Sequence, residues 1–253
     1  MSKYACRLIL GLSVWVTSLG LADTGQSTPP QTASGLISLA FSHYSSAVSL
    51  LGSIQMTQTA SGHEVHTRTD LAYVRPNKMY LRQVQSSPSK SVLVTSDGTY
   101  FSYDPPEGLI DTKRLVEAVR TPYLYHEIQD IWLAAQLSAP DPNPILLIAI
   151  GRKGDLIRLT KQWTAFSLSG KKTIGQESVN VVIGKYRDSE TALPTGSFEL
   201  DINDQGDIRA YQVKESYTVP GHAEMAPIEI TTQWAADLTV DAKPDDSMFR
   251  VIR

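Results

Sequence analysis

The chain has 253 residues, 42% of them hydrophobic, a length and apolar content suited to one sizeable β-rich domain or two small ones. Its 23 Lys and Arg against 26 Asp and Glu give a net charge of −3, and without a basic block this excludes nucleic acid as a partner. The one cysteine, Cys6, excludes a disulfide framework.

Lys3 and Arg7 precede the apolar run Leu8 to Leu21 and the small-residue end Gly20-Leu21-Ala22, the layout of a secretory signal peptide over residues 1–22. An uncleaved anchor is the weaker alternative, because the run is interrupted by Ser13, Thr17 and Ser18 and falls short of the roughly 20 apolar residues of a spanning helix. Cleavage after Ala22 moves the net charge to −5, removes the only thiol and implies a periplasmic location. Residues 23–35, rich in Thr, Ser, Pro and Gln, read as a flexible leader.

From there Ile37, Ala40, Phe41, Tyr44, Ala47, Val48 and Leu51 recur at helical steps and predict an amphipathic helix. After Gly52 the period changes to two. Ile54 and Met56, a Ser61-Gly62 turn, and then Val65, Thr67, Thr69, Leu71 and Tyr73 form a long hairpin with one wet face. Strands follow at Met79–Val84, Val92–Thr95 and Tyr100–Tyr103, the last two joined at Asp97-Gly98.

The centre is predicted helical, over Thr112–Val119 and Glu127–Leu137, with Pro122, Pro140, Pro142 and Pro144 breaking it into short pieces. Ile145–Ile150 is a third short apolar element. Period two returns in Leu156–Phe166, Ser178–Tyr186, Phe198–Ile202, Ile208–Val213 and Ile228–Trp234, with a hairpin turn at Asp204-Gln205-Gly206-Asp207. The order predicts an α+β fold, an antiparallel sheet curved into an incomplete barrel with short helices as a lid over its apolar face.

Three stretches imitate sites and fail. His63 and His66 are three apart on a strand and point to opposite faces, so no metal is expected there. Gly170-Lys171-Lys172-Thr173 lacks the first glycine and the hydroxyl position of a phosphate loop, and reads as an exposed turn. Asp201, Asn203 and Gly206 lack the carboxylate that closes a calcium loop, Gln212 standing in its place. With no nucleophile elbow either, neither catalytic residues nor a cofactor are expected, and the chain reads as a binding protein rather than an enzyme. Trp132, Trp163, Trp234, Phe101, Tyr73 and Tyr80 either fill an ordinary core or line an apolar ligand cavity.

One block is more specific. Val74-Arg75-Pro76-Asn77, Val94-Thr95-Ser96-Asp97-Gly98 and Tyr100-Phe101-Ser102-Tyr103-Asp104-Pro105 together resemble the periplasmic outer-membrane lipoprotein carriers, the LolA/LolB-like superfamily. Asn143 to Ala149 looks like that family's short central helix, and Phe198 to Val213 like its late hairpin.

The resemblance implies a single carrier-like domain over residues 36–253, with a helical insertion at about 111–150. It implies a monomer whose partners are the acyl chains of a lipid or lipoprotein, with a membrane protein as donor or acceptor, in a role of transport or outer-membrane biogenesis. The arginine of the Arg-Pro-Asn corner holds the lid closed through helix backbone in that family, a role that falls by position on Arg75, whose other reading is a strand-end arginine in water. The alternative function is a regulatory or assembly module that binds a protein partner through the same fold.

Overall fold

Thr32 caps the first helix by accepting the Gly35 amide on its hydroxyl at 3.1 Å, and the helix, α1, spans Ala33–Ser46. Its buried stripe is Leu36, Ile37, Ala40 and Tyr44, and Ala47 ends it with an extended ψ. The computed structural model describes residues 32–86, 89–104, 111–114, 143–151, 153–187, 194–218 and 226–251. The expected signal segment, the leader up to residue 31, the helix predicted over Glu127–Leu137 and the candidate Trp132 all lie outside the described residues.

Eleven strands follow: β1 (Ser49–Ala60), β2 (His63–Val74), β3 (Lys78–Ser86), β4 (Ser89–Asp97), β5 (Tyr100–Asp104), β6 (Asp111–Arg114), β7 (Trp163–Ile174), β8 (Glu177–Arg187), β9 (Pro194–Ile202), β10 (Ile208–Tyr217) and β11 (Ile228–Val240). All pair antiparallel in one sheet, of order β6-β5-β4-β3-β2-β1-β11-β10-β9-β8-β7. Two meanders are thus joined side by side where β1 meets β11, and the edges β6 and β7 do not pair, so the barrel is incomplete. Gly52 sits on that seam at φ 149°, where a Cβ would lie 1.9 Å from the Asp237 carbonyl oxygen. Only glycine lets the two meanders approach there.

Among the described residues, two helices lie between the meanders. In α2 (Pro144–Ile150) Asn143 accepts the amides of Ile145 and Leu146, proline occupies the first turn, and every residue is buried. A helix apolar on all sides can only be a core element. Gly151 ends it, donating to the Leu147 carbonyl at 2.9 Å, and a Cβ there would meet that oxygen at 2.2 Å. The next helix, α3, spans Lys153–Gln162, and a 3-10 turn, Asp246–Phe249, buries Phe249.

The hairpin of β1 and β2, its inward residues Thr67, Thr69, Leu71 and Tyr73, and the Asp97-Gly98 and Asp204–Asp207 turns stand as the sequence predicts. Four elements differ. The predicted first helix stops before Val48, which is 64% exposed, and Leu51 belongs to β1, because the chain must turn to enter the sheet. Leu156–Phe166 is helix up to Gln162, buried through Leu159 and Gln162 at a three-residue step, and becomes strand only at Trp163. Thr112–Arg114 is strand rather than helix, drawn into pairing with β5. Gly170–Thr173 lies inside β7 rather than in a turn, and the reversal comes at Gly175.

Candidate functional site

At the corner between β2 and β3 the chain turns through Arg75-Pro76-Asn77, and the Tyr73 hydroxyl donates to the Pro76 carbonyl at 3.0 Å. This holds Arg75 beneath the C-terminal ends of two helices. Its Nε donates to the Ala47 carbonyl at 2.7 Å, and one Nη donates to Tyr44 of α1 at 3.2 Å and to Ala149 of α2 at 3.4 Å. Helix ends carry unsatisfied carbonyls and partial negative charge, so one guanidinium serves both. Its carbon also lies 5.7 Å from the centre of the buried Tyr73 ring. Arg75 is therefore half-buried and bonded to backbone at the ends of α1 and α2.

The same C-terminal end of α1 is also fixed to the second meander. The Tyr44 hydroxyl accepts the Ile208 amide at 3.2 Å, and His43 Nε2 lies 3.0 Å from Asp207 Oδ1. Burial pushes the Tyr44 phenol up to about 12. Behind Asp207, Arg209 is bonded to Glu177 at 2.6 Å, and that hydrogen bond holds the Glu177 carboxyl below its usual range. Gly206 in this turn has His43 and Leu39 so close that a Cβ would lie 3.1 Å from the His43 Cβ.

Under α1 runs an aromatic wall. Phe41 is 6.2 Å from Trp163, which stacks on Phe198 at 5.2 Å, and Tyr211 stacks on Trp234 at 5.3 Å. The Trp163 indole donates to the Tyr211 hydroxyl at 2.9 Å, so the most polar atoms of the wall satisfy each other. Register carries the same inner face onward from Trp234 to Met56 and Thr67, and in a parallel row through Leu50, Tyr73 and Met79 to Ser96 and Phe101.

The candidate residues divide accordingly. Trp163 and Trp234 share the aromatic wall, while Tyr73, beside Arg75, and Phe101, on β5, lie in the first meander, all four buried. Tyr80 pairs with Ala72 and Thr95 and points to the outer face, away from Met79 and Leu81. Phe198 and Tyr211 were not singled out by sequence, although their place in period-two runs carried the signal. Among the described residues no group of His, Cys, Asp and Glu could hold a metal, and no helix is long and apolar enough to cross a membrane.

The outer face differs in character. Lys172 bridges Glu199 at 2.6 Å and Asp201 at 2.7 Å beside a groove of about 280 Å³ that includes Gln55, Gln212 and Gln233. Burial keeps the Asp201 carboxyl above its ordinary value in spite of the ammonium.

No family model and no curated protein matches the sequence. Among solved structures the chain is similar to the lipoprotein LppX of Mycobacterium tuberculosis, at 11% identity over 83% of this chain and 95% of that one, with a TM-score of 0.36. It is similar to the Pseudomonas aeruginosa MucA/MucB complex, at 15% identity, 86% of this chain and TM-score 0.42, and spans 60% of the length of the chain matched there. A third is a LolA superfamily protein, NE2245 from Nitrosomonas europaea, at 14% identity, 87% of this chain, 98% of that one and TM-score 0.33.

Proposed function

We propose that this protein is a periplasmic carrier that sequesters the acyl chains of a lipid or lipoprotein between the lid helices and the inner face of the sheet. The observation that carries the reading is the set of three hydrogen bonds from Arg75 to the ends of α1 and α2, a polar latch between the sheet corner and both helices. Acyl burial is worth about 0.8 kcal/mol per methylene, so holding a chain is easy and releasing it requires a lid that opens. A latch made of hydrogen bonds to backbone can open without covalent chemistry, and nothing in this mechanism asks for a catalytic group. The inner face supplies the contact, through Trp163, Trp234, Tyr73 and Phe101.

Extraction of the purified protein followed by lipid mass spectrometry tests this directly. Acyl lipid should be recovered in stoichiometric amount, and a fluorescent fatty acid should bind competitively. A protein that carries no lipid and takes up no probe is not a carrier.

The second reading is a module that binds a protein partner. It is favoured by β7, a sheet edge of 12 residues on which Phe166 and Leu168 are exposed. Leu168→Pro would abolish a partner added as an extra strand and leave acyl binding intact.

A further inference from the structure

The groove on the outer face of the sheet, of about 280 Å³, is built from two neighbouring cross-strand rows. One row sets Gln55, Ala235, Ala210 and Asp201 side by side on β1, β11, β10 and β9, and the next sets Gln233, Gln212 and Glu199 beside it. The two alanines make a flat floor. From Gln55 to Asp201 that floor crosses three strand spacings, about 14 Å.

Contact with water accounts for amides on an outward sheet face, but it does not account for Asp201. The Asp201 side chain is only 3% exposed; its Oδ2 meets the Lys172 ammonium at 2.7 Å, and its Oδ1 is buried with no hydrogen-bond partner among the described residues. A buried carboxylate oxygen left unbonded is unfavourable, and it marks a place for a donor. Lys172, bonded to Glu199 and Asp201, keeps a third N–H.

An acceptor and a donor side by side suit a group that is both, and a hydroxyl is the simplest such group. Gln55, Gln212 and Gln233, none with a side-chain hydrogen bond among the described residues, repeat that pairing along the floor. Two carboxylates against one ammonium disfavour an anion. An extended peptide fits less well, because all four strands are interior, their backbone groups serve the sheet, and alanines alone would receive an apolar side chain.

We propose that this groove binds a neutral oligosaccharide, whose hydroxyls bond Asp201, Lys172 and the three glutamines while the C–H faces of its rings rest on Ala210 and Ala235. Lys172 is exposed, and its long stem swings aside to admit a hydroxyl to the Asp201 carboxylate. The site lies on the face of the sheet away from the lid helices and goes beyond the acyl-carrier reading, on which it does not depend.

The test is titration of the isotope-labelled full chain, followed by amide NMR, with chitotriose and with maltotriose, neutral sugars with and without acetamido groups, each up to about 10 mM. At least one should shift the resonances around Asp201, Gln212 and Ala235 saturably. Asp201→Asn, which exchanges the carboxylate for an amide, should weaken binding about tenfold or more, the loss expected for a hydrogen bond to a charged group. Ala235→Ile, at an exposed strand position where a β-branched residue is well tolerated, should fill the floor and abolish binding. Thermal unfolding checks that both variants fold, and uptake of a fluorescent fatty acid should be the same in both as in the wild type. No saturable shift with either sugar overturns the assignment, as does binding undiminished in Ala235→Ile. Shifts of the same resonances by tetraalanine and by neither sugar overturn it in favour of a peptide. Each of these failures leaves the carrier reading standing, since that reading is tested by acyl lipid alone.

Discussion

Arg75 and Ala149 lie 74 positions apart, and the guanidinium of the first reaches the carbonyl of the second at 3.4 Å, while its shorter bonds, at 2.7 and 3.2 Å, go to Ala47 and Tyr44. The latch is therefore asymmetric. α1 is held by Arg75 on one meander and by Asp207 and Ile208 on the other, whereas α2 takes from Arg75 only its longest bond.

Arg75→Leu removes the latch without touching the inner rows. Release of a bound acyl probe should accelerate at least severalfold, and stability should fall by about 1–3 kcal/mol as the helix-end carbonyls lose their donor. Arg75→Lys, with a single ammonium in place of the fork, should lie between. Stopped-flow release and denaturant unfolding read the two effects separately, and an unchanged release rate in the leucine variant would remove Arg75 from the mechanism.

Tyr211→Phe leaves the buried Trp163 indole N–H without its acceptor and should cost about 1–3 kcal/mol. Trp163→Phe removes the donor instead and leaves a hydroxyl that can rotate, so it should cost less polar energy but more packing. If the aromatic wall touches the cargo, a brominated acyl chain should quench indole emission in the wild type, and the quenching should drop when Trp163 and Trp234 are both replaced by Phe.

Tyr44 gives a pH dependence of defined sign. Its phenol is pushed to about 12 by burial, against 10.0 for an exposed tyrosine, so the folded state holds the proton more tightly than the unfolded one. The corresponding stability is complete below about pH 10 and is lost as pH rises through about 12, to a total of up to about 3 kcal/mol. Tyr44→Phe should flatten the stability profile in that window. It should also lower stability at neutral pH by about 1–3 kcal/mol, because the Ile208 amide loses its acceptor. Denaturant midpoints across pH for both proteins check each part.

Gly52→Ala tests the seam. The added methyl group falls 1.9 Å from the Asp237 carbonyl oxygen at a φ of 149°, so β1 and β11 must separate. A loss of about 3 kcal/mol or more is expected, with early amide exchange along β1 and β11 rather than along β7 and β8. An alanine variant of wild-type stability would mean that the meanders are not held by that pairing.

Period two in residues 54–73 determined which side chains of the first hairpin face inward, since alternation is a property of the strand itself and needs no partner. Turn chemistry at Ser61-Gly62 and Asp97-Gly98, and the Asn143-Pro144 start of α2, are likewise local and were legible. The Arg-Pro-Asn corner marked Arg75 as the residue to watch. Leu156–Gln162 misled because a short amphipathic segment satisfies both periods, and the choice of helix came from burial of Leu159 and Gln162. Tertiary structure alone decided that Arg75 meets two helix ends, that Trp163 meets Tyr211 from 48 positions away, and that Tyr80 turns outward. Each depends on strand register and helix docking, long-range quantities that no local pattern contains, because the free energy that sets them is released only when distant segments bury one another.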